Sequence, residues 1–272
     1  FRLKSESIVF LAPDFNSILE LEFKTDTGLG NRANIGIIVL RTDQTLEHEF
    51  ANLLNLAGVA LYHSRIPNEM EVTKENLANM EKELPVAAAL LPALFNFDVI
   101  GYGCTSGSTI IGEKNVEKAI QVVHPDVPTS NPLTACKAAL QALGVKRVAF
   151  LTPYDPGITT TMRDNLLVSG FEIPVTGSFF ESDDFVVGRI APESILEAIE
   201  KIGASDDCDG VFVSCTNLRV ASIIETAEAR LGKPVTSSNH ALAWHLLRLA
   251  GIQDCLENFG SLFQVQLNEH DE

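Results

Sequence analysis

The sequence has little positive charge and no long apolar run, and these two shortages exclude several functions. Its 272 residues include 20 Lys and Arg against 36 Asp and Glu, for a formal net charge of −16. A surface of that sign repels nucleic acids and anionic membranes. No apolar stretch approaches the roughly 18 residues of a membrane-spanning helix, and residues 1–10 lack the order of a secretory signal. We therefore expect a cytoplasmic protein that binds neither nucleic acid nor membrane.

Cysteine is also sparse, and its spacing excludes further classes. The five cysteines form no C-x-x-C pair and no Cys/His spacing typical of a zinc site. A disulfide framework is not expected in so long a chain. The glycines between Gly101 and Gly107 miss the spacing of a dinucleotide loop. The sequence thus predicts an enzyme site that uses neither metal nor cofactor.

What the chain does contain is an internal repeat. The run Asp98-Val-Ile-Gly-Tyr-Gly-Cys104-Thr and the run Asp209-Gly-Val-Phe-Val-Ser-Cys215-Thr end in the same way, and the two cysteines are 111 residues apart. At the same offset, the apolar run 37–40 falls on the apolar run 148–151. Helices that start near Asn131 and Asn239 follow similar Ser/Asn cap signals, with the offset reduced to 108.

Each repeat alternates strands with helices, which predicts an α/β fold. We expect strands near 35–41, 58–63 and 98–103, and again near 147–152, 171–176 and 209–214. Most of these runs are continuously apolar, as in parallel strands that are buried on both faces. The prediction is two similar doubly wound, flavodoxin-like halves related by pseudo-two-fold symmetry, with the active site between them.

The repeat also suggests how the chain is divided. We expect an N-terminal extension at 1–30, a first α/β half at 31–144 and a second half at 145–272, although the C-terminal segment could pack with the first half. Leu19–Phe23 could form an added edge strand or stay mobile.

Cys104 and Cys215 are the candidate catalytic residues. Both follow a predicted strand at its carboxyl end, where ligands bind in open α/β sheets. A helix is expected after each of them, and a helix N-terminus would lower the pKa of the thiol. Two thiols on opposite faces of one substrate could racemise a carbon beside a carboxylate. They could equally isomerise a double bond by addition and elimination.

These motifs resemble the aspartate/glutamate racemase superfamily, in the branch of maleate isomerases and arylmalonate decarboxylases, with the closest likeness to its ectoine-utilisation members. The resemblance is carried by the following runs: 36–47, 64–67, 101–107, 152–154, 187–190 and 214–217. It implies that Cys104 and Cys215 are the catalytic pair and that Tyr154 contacts a substrate carboxylate. It also implies that a carboxylate is cradled by the following residues: Thr105, Ser106, Thr216 and Asn217.

One departure from the family pattern bears on the substrate. The maleate isomerases have Asn at the positions of Asp43 and Asp184, and an ionised Asp cannot donate a hydrogen bond. Two carboxylates would repel a dianion and pair with an ammonium group. We therefore expect an amino acid or a diamino acid derived from ectoine. The alternative is that Asp43 and Asp184 only cap the helices that follow them.

Three functions stay open on this basis. The first is a racemase or cis–trans isomerase of a small carboxylic acid that uses both thiols. The second is a decarboxylase of the arylmalonate type that needs only Cys215. The third is a small-molecule binding protein without catalysis. A homodimer or a higher homo-oligomer is expected as the default assembly.

Overall fold

A computed structural model describes residues 18–268 of the chain, and it contains two four-stranded parallel sheets. The strands of the first sheet are β1 Ala33–Leu40, β2 Val59–Ile66, β3 Val99–Gly103 and β4 Thr129–Ser130. Those of the second are β5 Arg147–Thr152, β6 Glu172–Ser178, β7 Gly210–Val213 and β8 Val235–Ser237. The spatial orders are β2-β1-β3-β4 and β6-β5-β7-β8. The same order in both sheets confirms the prediction of two similar doubly wound halves.

Ten α-helices connect these strands in the described part of the chain. They are α1 Leu46–Leu53, α2 Lys74–Ala88, α3 Thr105–Ile111, α4 Glu113–Gln121, α5 Pro132–Ala142, α6 Pro156–Val168, α7 Asp184–Val187, α8 Pro192–Gly203, α9 Ile224–Leu231 and α10 Ser238–Leu249. None of the helices within residues 18–268 is long and apolar enough to cross a bilayer.

The central strands β1, β3, β5 and β7 are buried along almost their whole length, and β1 has a core on each face. In β1, Ile35, Ile37 and Val39 face one buried cluster, whereas Ile38 and Leu40 face the other. Successive side chains of a strand point to opposite faces, so a strand with a core on each side has no polar face.

The last helix crosses from the second sheet to the first. α10 follows β8, but it packs against α5, α1 and β3, and every residue from Ser238 to Arg248 is buried. The helix therefore ties the two sheets together. The division of the chain at 144/145 stays a prediction.

The six predicted strands are present, and two more were missed. β4 and β8 have two and three residues, too few for a hydrophobic pattern to be visible. In the sequence they appear only as cap signals, and the caps are real: Asn131 caps α5 and Ser237 caps α10.

The proposed edge strand at Leu19–Phe23 is wrong. Residues 18–30 contain no strand, and Leu19, Leu21 and Phe23 are exposed. Alternating apolar residues need a sheet edge and a buried face to form a strand, and this segment packs on neither. The rest of the predicted extension, 1–17, lies outside the described residues.

Candidate active site

A small cavity lies between the two halves, at the carboxyl ends of β1, β3, β5 and β7. Cys104 and Cys215 both line it, so the structure brings the two predicted cysteines together. Six other predicted residues line it as well: Asp43, Ser106, Tyr154, Asp184, Thr216 and Asn217. The cavity volume is about 20 Å³, roughly the space of one water molecule. A carboxylic acid can enter only if the surrounding chain moves.

Segments from both halves close the cavity on one side. The loop between β2 and α2 meets the loop before α7 in a short antiparallel bridge between Glu71 and Asp183. Val72 N donates to Ser182 O at 3.3 Å, and Asp184 N donates to Met70 O at 3.3 Å.

Cys104 caps the N-terminus of α3, as the sequence predicts. Its Sγ accepts a hydrogen bond from Gly107 N at 3.2 Å and lies 3.6 Å from Ser106 Oγ. A Cβ on Gly107 would come within 2.5 Å of Tyr102 Oη and 2.9 Å of Cys104 Sγ. Glycine at this position therefore lets the first turn approach the thiol closely.

Cys215 is held differently, because the helix that follows it does not start at the thiol. Residues 216–218 form a turn, and α9 begins only at Ile224. Cys215 has a φ of 153°, which a residue with a Cβ rarely adopts. Its N–H donates to Ser238 Oγ at 3.0 Å, and its Sγ accepts from Asn217 N at 3.4 Å.

Both thiols have raised pKa values, opposite to the lowering that the sequence predicts. Burial raises the pKa of Cys104 to about 11, opposed by hydrogen bonds from Gly107 and Ser106. Burial, followed by the nearby charge of Asp184, raises the pKa of Cys215 still further. Desolvation of a thiolate outweighs one helix N-terminus at Cys104, and Cys215 has no helix to help it.

The two aspartates are buried at the edges of the cavity. Asp43 Oδ1 accepts from Thr45 N and Leu46 N, each at 2.8 Å, while its buried Oδ2 has no partner. Burial raises the pKa of Asp43 to about 6. The capping alternative therefore holds for one oxygen of Asp43 and leaves the other available to a ligand.

Asp184 is not the cap of its helix. Its neighbour Asp183 accepts from Phe185 N and Val186 N at the start of α7. Asp184 Oδ2 accepts instead from Thr42 Oγ1 at 2.6 Å, across the boundary between the halves. Burial raises the pKa of Asp184 as well.

Of the remaining predicted residues, Tyr154 and Asn217 line the cavity, whereas Thr105 does not. Tyr154 is buried and lines the cavity together with Cys215. Asn217 accepts from Gln44 N and donates to Asp184 O, so its side chain also joins the halves. Thr105 does not line the cavity: its Oγ1 lies 2.7 Å from Ser238 Oγ.

The sequence did not point to one wall of the cavity. It comes from the β2–α2 loop and α2, and its residues are Asn68, Glu69, Glu71, Val72, Asn76, Leu77 and Met80. Asn68 follows β2 at the carboxyl edge of the sheet, and that position was the available signal. Within residues 18–268, no group of three or more His, Cys, Asp or Glu side chains is arranged to hold a metal ion.

The sequence and the fold of this chain are similar to those of known proteins. The profile of the family described as arylmalonate decarboxylase matches residues 70–263. The chain is 25% identical over 241 residues to the maleate isomerase of Geobacillus stearothermophilus, covering 84% of this chain and 96% of that one. It is 30% identical over 132 residues to the arylmalonate decarboxylase of Bordetella bronchiseptica, covering 46% and 52% of the two chains. The crystal structure of the maleate isomerase Iso from Pseudomonas putida S16 superposes with a TM-score of 0.79 at 27% identity, covering 85% of this chain and 98% of that one.

Proposed function

The chain belongs to the arylmalonate decarboxylase family, in the branch of the aspartate/glutamate racemase superfamily that includes maleate isomerases, and from this premise we propose that it is a cofactor-independent isomerase with Cys104 and Cys215 as its catalytic pair. The observation that carries the proposal is that both sulfur atoms line one cavity between the two sheets. A decarboxylase of the arylmalonate type would need only Cys215.

The two thiols suffice for either isomerisation. In racemisation, one thiolate removes the proton beside the substrate carboxylate, the electron pair moves into the carboxylate, and the other thiol delivers a proton to the opposite face. In cis–trans isomerisation, a thiolate adds to the double bond and the other thiol protonates the adjacent carbon. Rotation follows, then loss of the proton and cleavage of the C–S bond. Both sequences balance without an external electron donor or acceptor.

The charge of the cavity supports a substrate with a cationic nitrogen. The lining has four carboxyl groups, from Asp43, Glu69, Glu71 and Asp184, and among the described residues it includes no Lys, Arg or His. A dicarboxylate would meet only like charge and the dipoles of hydroxyl and amide groups. An ammonium group would pair with the unpartnered Oδ2 of Asp43.

A cationic substrate would also prepare the thiols. The charges of Asp43 and Asp184 help to keep the pKa of Cys215 high. A substrate ammonium group next to these carboxylates would offset their repulsion of a thiolate. We therefore propose an amino acid or a diamino acid as the substrate. The link to ectoine breakdown stays a prediction.

Single cysteine variants test the reaction type. We expect Cys104→Ser and Cys215→Ser each to lower turnover of a diamino acid by at least about 1000-fold, since each thiol performs its own proton transfer. In D₂O, a racemase incorporates deuterium at the substrate carbon. Loss of activity in the Cys215 variant alone would indicate a decarboxylase. Binding without turnover in the wild-type protein would indicate the non-catalytic alternative.

Binding measurements test the substrate class. We expect free 2,4-diaminobutyrate, or its N-acetylated form, to bind at least about tenfold more tightly than maleate, because only the former carry an ammonium group. Replacing both aspartates, Asp43→Asn and Asp184→Asn, should remove this preference. The matched control is Glu225→Gln, an exposed acid outside the cavity. Tight maleate binding to the wild-type protein would refute the cationic substrate.

A further inference from the structure

Glu49 is a buried carboxylate that does not line the cavity of the two thiols. It lies on α1, is 5% exposed, and belongs to no ion pair among the described residues. Burial raises its pKa to about 7, and the charge of Asp43 adds to the rise, while the hydrogen bonds that Glu49 accepts oppose it. An acid buried at such cost needs a compensating role, since an apolar side chain would pack there without that penalty.

The hydrogen-bond donors to the Glu49 carboxylate come from the end of the Cys215 loop and from the first turn of α10. Oε1 accepts from Val220 N at 2.7 Å and from Ala221 N at 2.8 Å. Oε2 accepts from Asn239 Nδ2 at 2.7 Å. One side chain of the first half therefore binds the end of the loop that follows β7 in the second half.

Asn239 extends this contact to the residue next to Cys215. The same Nδ2 group donates to Thr216 O at 2.7 Å. A carbonyl oxygen only accepts hydrogen bonds, so the NH₂ group of the Asn239 amide, and not its oxygen, must face Thr216 O. Glu49 Oε2 must then be an acceptor. The contacts of Glu49 thus hold the Cys215 loop at 220–221 directly and at Thr216 through Asn239.

Within residues 18–268, the corresponding position on the Cys104 side holds no carboxylate. The residue 111 positions after Glu49 is Thr160, which is exposed on α6. Cys104 needs no loop anchor, since it leads directly into α3 and Gly107 N binds its thiol. Any effect of Glu49 should therefore fall on one thiol of the pair.

We propose that Glu49 is a positioning residue that holds the Cys215 loop, and with it the unusual backbone of Cys215, against the first half of the protein. The proposal rests on the proposed function for its effect on turnover. Its effect on the thiol itself is independent of any substrate.

The decisive variant is Glu49→Gln. Its amide oxygen can still accept from Val220 N and Ala221 N, but its NH₂ group opposes the NH₂ group of Asn239. We expect kcat to fall about 10- to 100-fold with KM changed less than about threefold, because small displacements of a reacting group cost about this much. We expect alkylation of Cys215 by iodoacetamide to rise at least about fivefold relative to Cys104, measured by peptide mass spectrometry.

The ratio of the two thiols separates positioning from general stabilisation. Loss of global stability would raise alkylation of Cys104 and Cys215 together, and this outcome would overturn the proposal. A folded Glu49→Gln variant with kcat within twofold of wild type would also overturn it. Glu225→Gln replaces an exposed acid at the start of α9 whose side chain makes no hydrogen bond to the loop in the described structure, and this variant should behave as wild type.

A second variant keeps the claim testable if Glu49→Gln does not fold. Asn239→Ala removes one donor to Glu49 and the contact with Thr216, and the same change in the alkylation ratio is expected. An unchanged ratio in this variant would refute the proposal. If the wild-type protein turns over none of the acids tested, the proposed function fails, while the alkylation ratio still decides the role of Glu49.

Discussion

The two cysteines occupy corresponding places in the two sheets, yet different forces hold them. Cys104 is held by a helix N-terminus and by a glycine that allows close approach. Cys215 sits in a loop with a positive φ, and carboxylates of Asp43, Glu49 and Asp184 surround it or its loop. A repeated strand end can therefore carry two thiols with different environments.

Because of this difference, the two thiols should respond differently to substitutions elsewhere in the chain. The hydrogen bonds to Cys104 are local, between residues two or three apart in the chain. Those of the Cys215 loop reach Ser238, Asn239 and Glu49, which are distant in sequence. Changes in carboxylate charge should therefore alter Cys215 more than Cys104.

The largest expected effect concerns the reactivity of both thiols in the ligand-free protein. With its pKa near 11, Cys104 should be alkylated at pH 7 roughly 100-fold more slowly than an ordinary thiol, and Cys215 more slowly still. Exposed Cys255 provides an internal reference in the same sample. A reaction midpoint below about pH 8.5 for either buried thiol would contradict the raised pKa values.

Next in size is the dependence of stability on pH that Glu49 causes. Its pKa is raised from 4.5 to about 7 in the folded protein, so the folded state binds its proton more tightly than the unfolded state does. The stabilisation is fully present below about pH 4.5, is lost as the pH rises through 7, and amounts to about 3 kcal/mol. Urea unfolding from pH 4.5 to 8 should show this loss in wild type, and Glu49→Gln should show a flatter dependence. Identical pH profiles would contradict the raised pKa.

A smaller effect should distinguish the thiols directly. After burial, the charge of Asp184 is the next cause that raises the pKa of both thiols, but at Cys104 its effect is smaller than the opposing effects of the hydrogen bonds from Gly107 and Ser106. We expect Asp184→Asn to speed alkylation of Cys215 by about tenfold and that of Cys104 by about twofold, as one removed charge shifts a buried pKa by roughly one unit. Equal acceleration of both thiols would show that the comparison between them is wrong.

The smallest effect compares the two helices that follow β4 and β8. Asn131 accepts from Leu133 N and Thr134 N at the start of α5, whereas Ser237 accepts only from His240 N at the start of α10. We expect Asn131→Ala to reduce the free energy of unfolding by about 1 kcal/mol or slightly more, and Ser237→Ala by less. Thermal or urea unfolding measures both, and a larger loss for Ser237 would reverse the order.

Much of the fold could be predicted, because its signals are local and repeated. Six strands follow from runs that are mostly apolar, and the caps of α5 and α10 follow from Asn131 and Ser237. β4 and β8 could not be predicted because they are too short to show a pattern. The Leu19–Phe23 segment has the pattern of a strand but no sheet edge to join.

Part of the site could be predicted from the sequence for the same reason. Strand ends that recur 111 residues apart point to Cys104 and Cys215 without any coordinates. Thr105 is turned toward Ser238 rather than the cavity, and no spacing rule reveals this. The role of Glu49 could not be predicted, because acids on helices are usually exposed and the partners of this one are more than 170 residues away in the chain.

The sequence by itself determined the two parallel sheets, the sulfur atoms at their strand ends and the acidic residues nearby, since hydrophobic periodicity and repeats are properties of neighbouring residues. Only the tertiary structure decided that burial keeps both thiols protonated and that a carboxylate of one half hydrogen-bonds to the loop of the other. Desolvation and hydrogen bonding depend on which distant groups come together and exclude water, and linear order does not encode that directly.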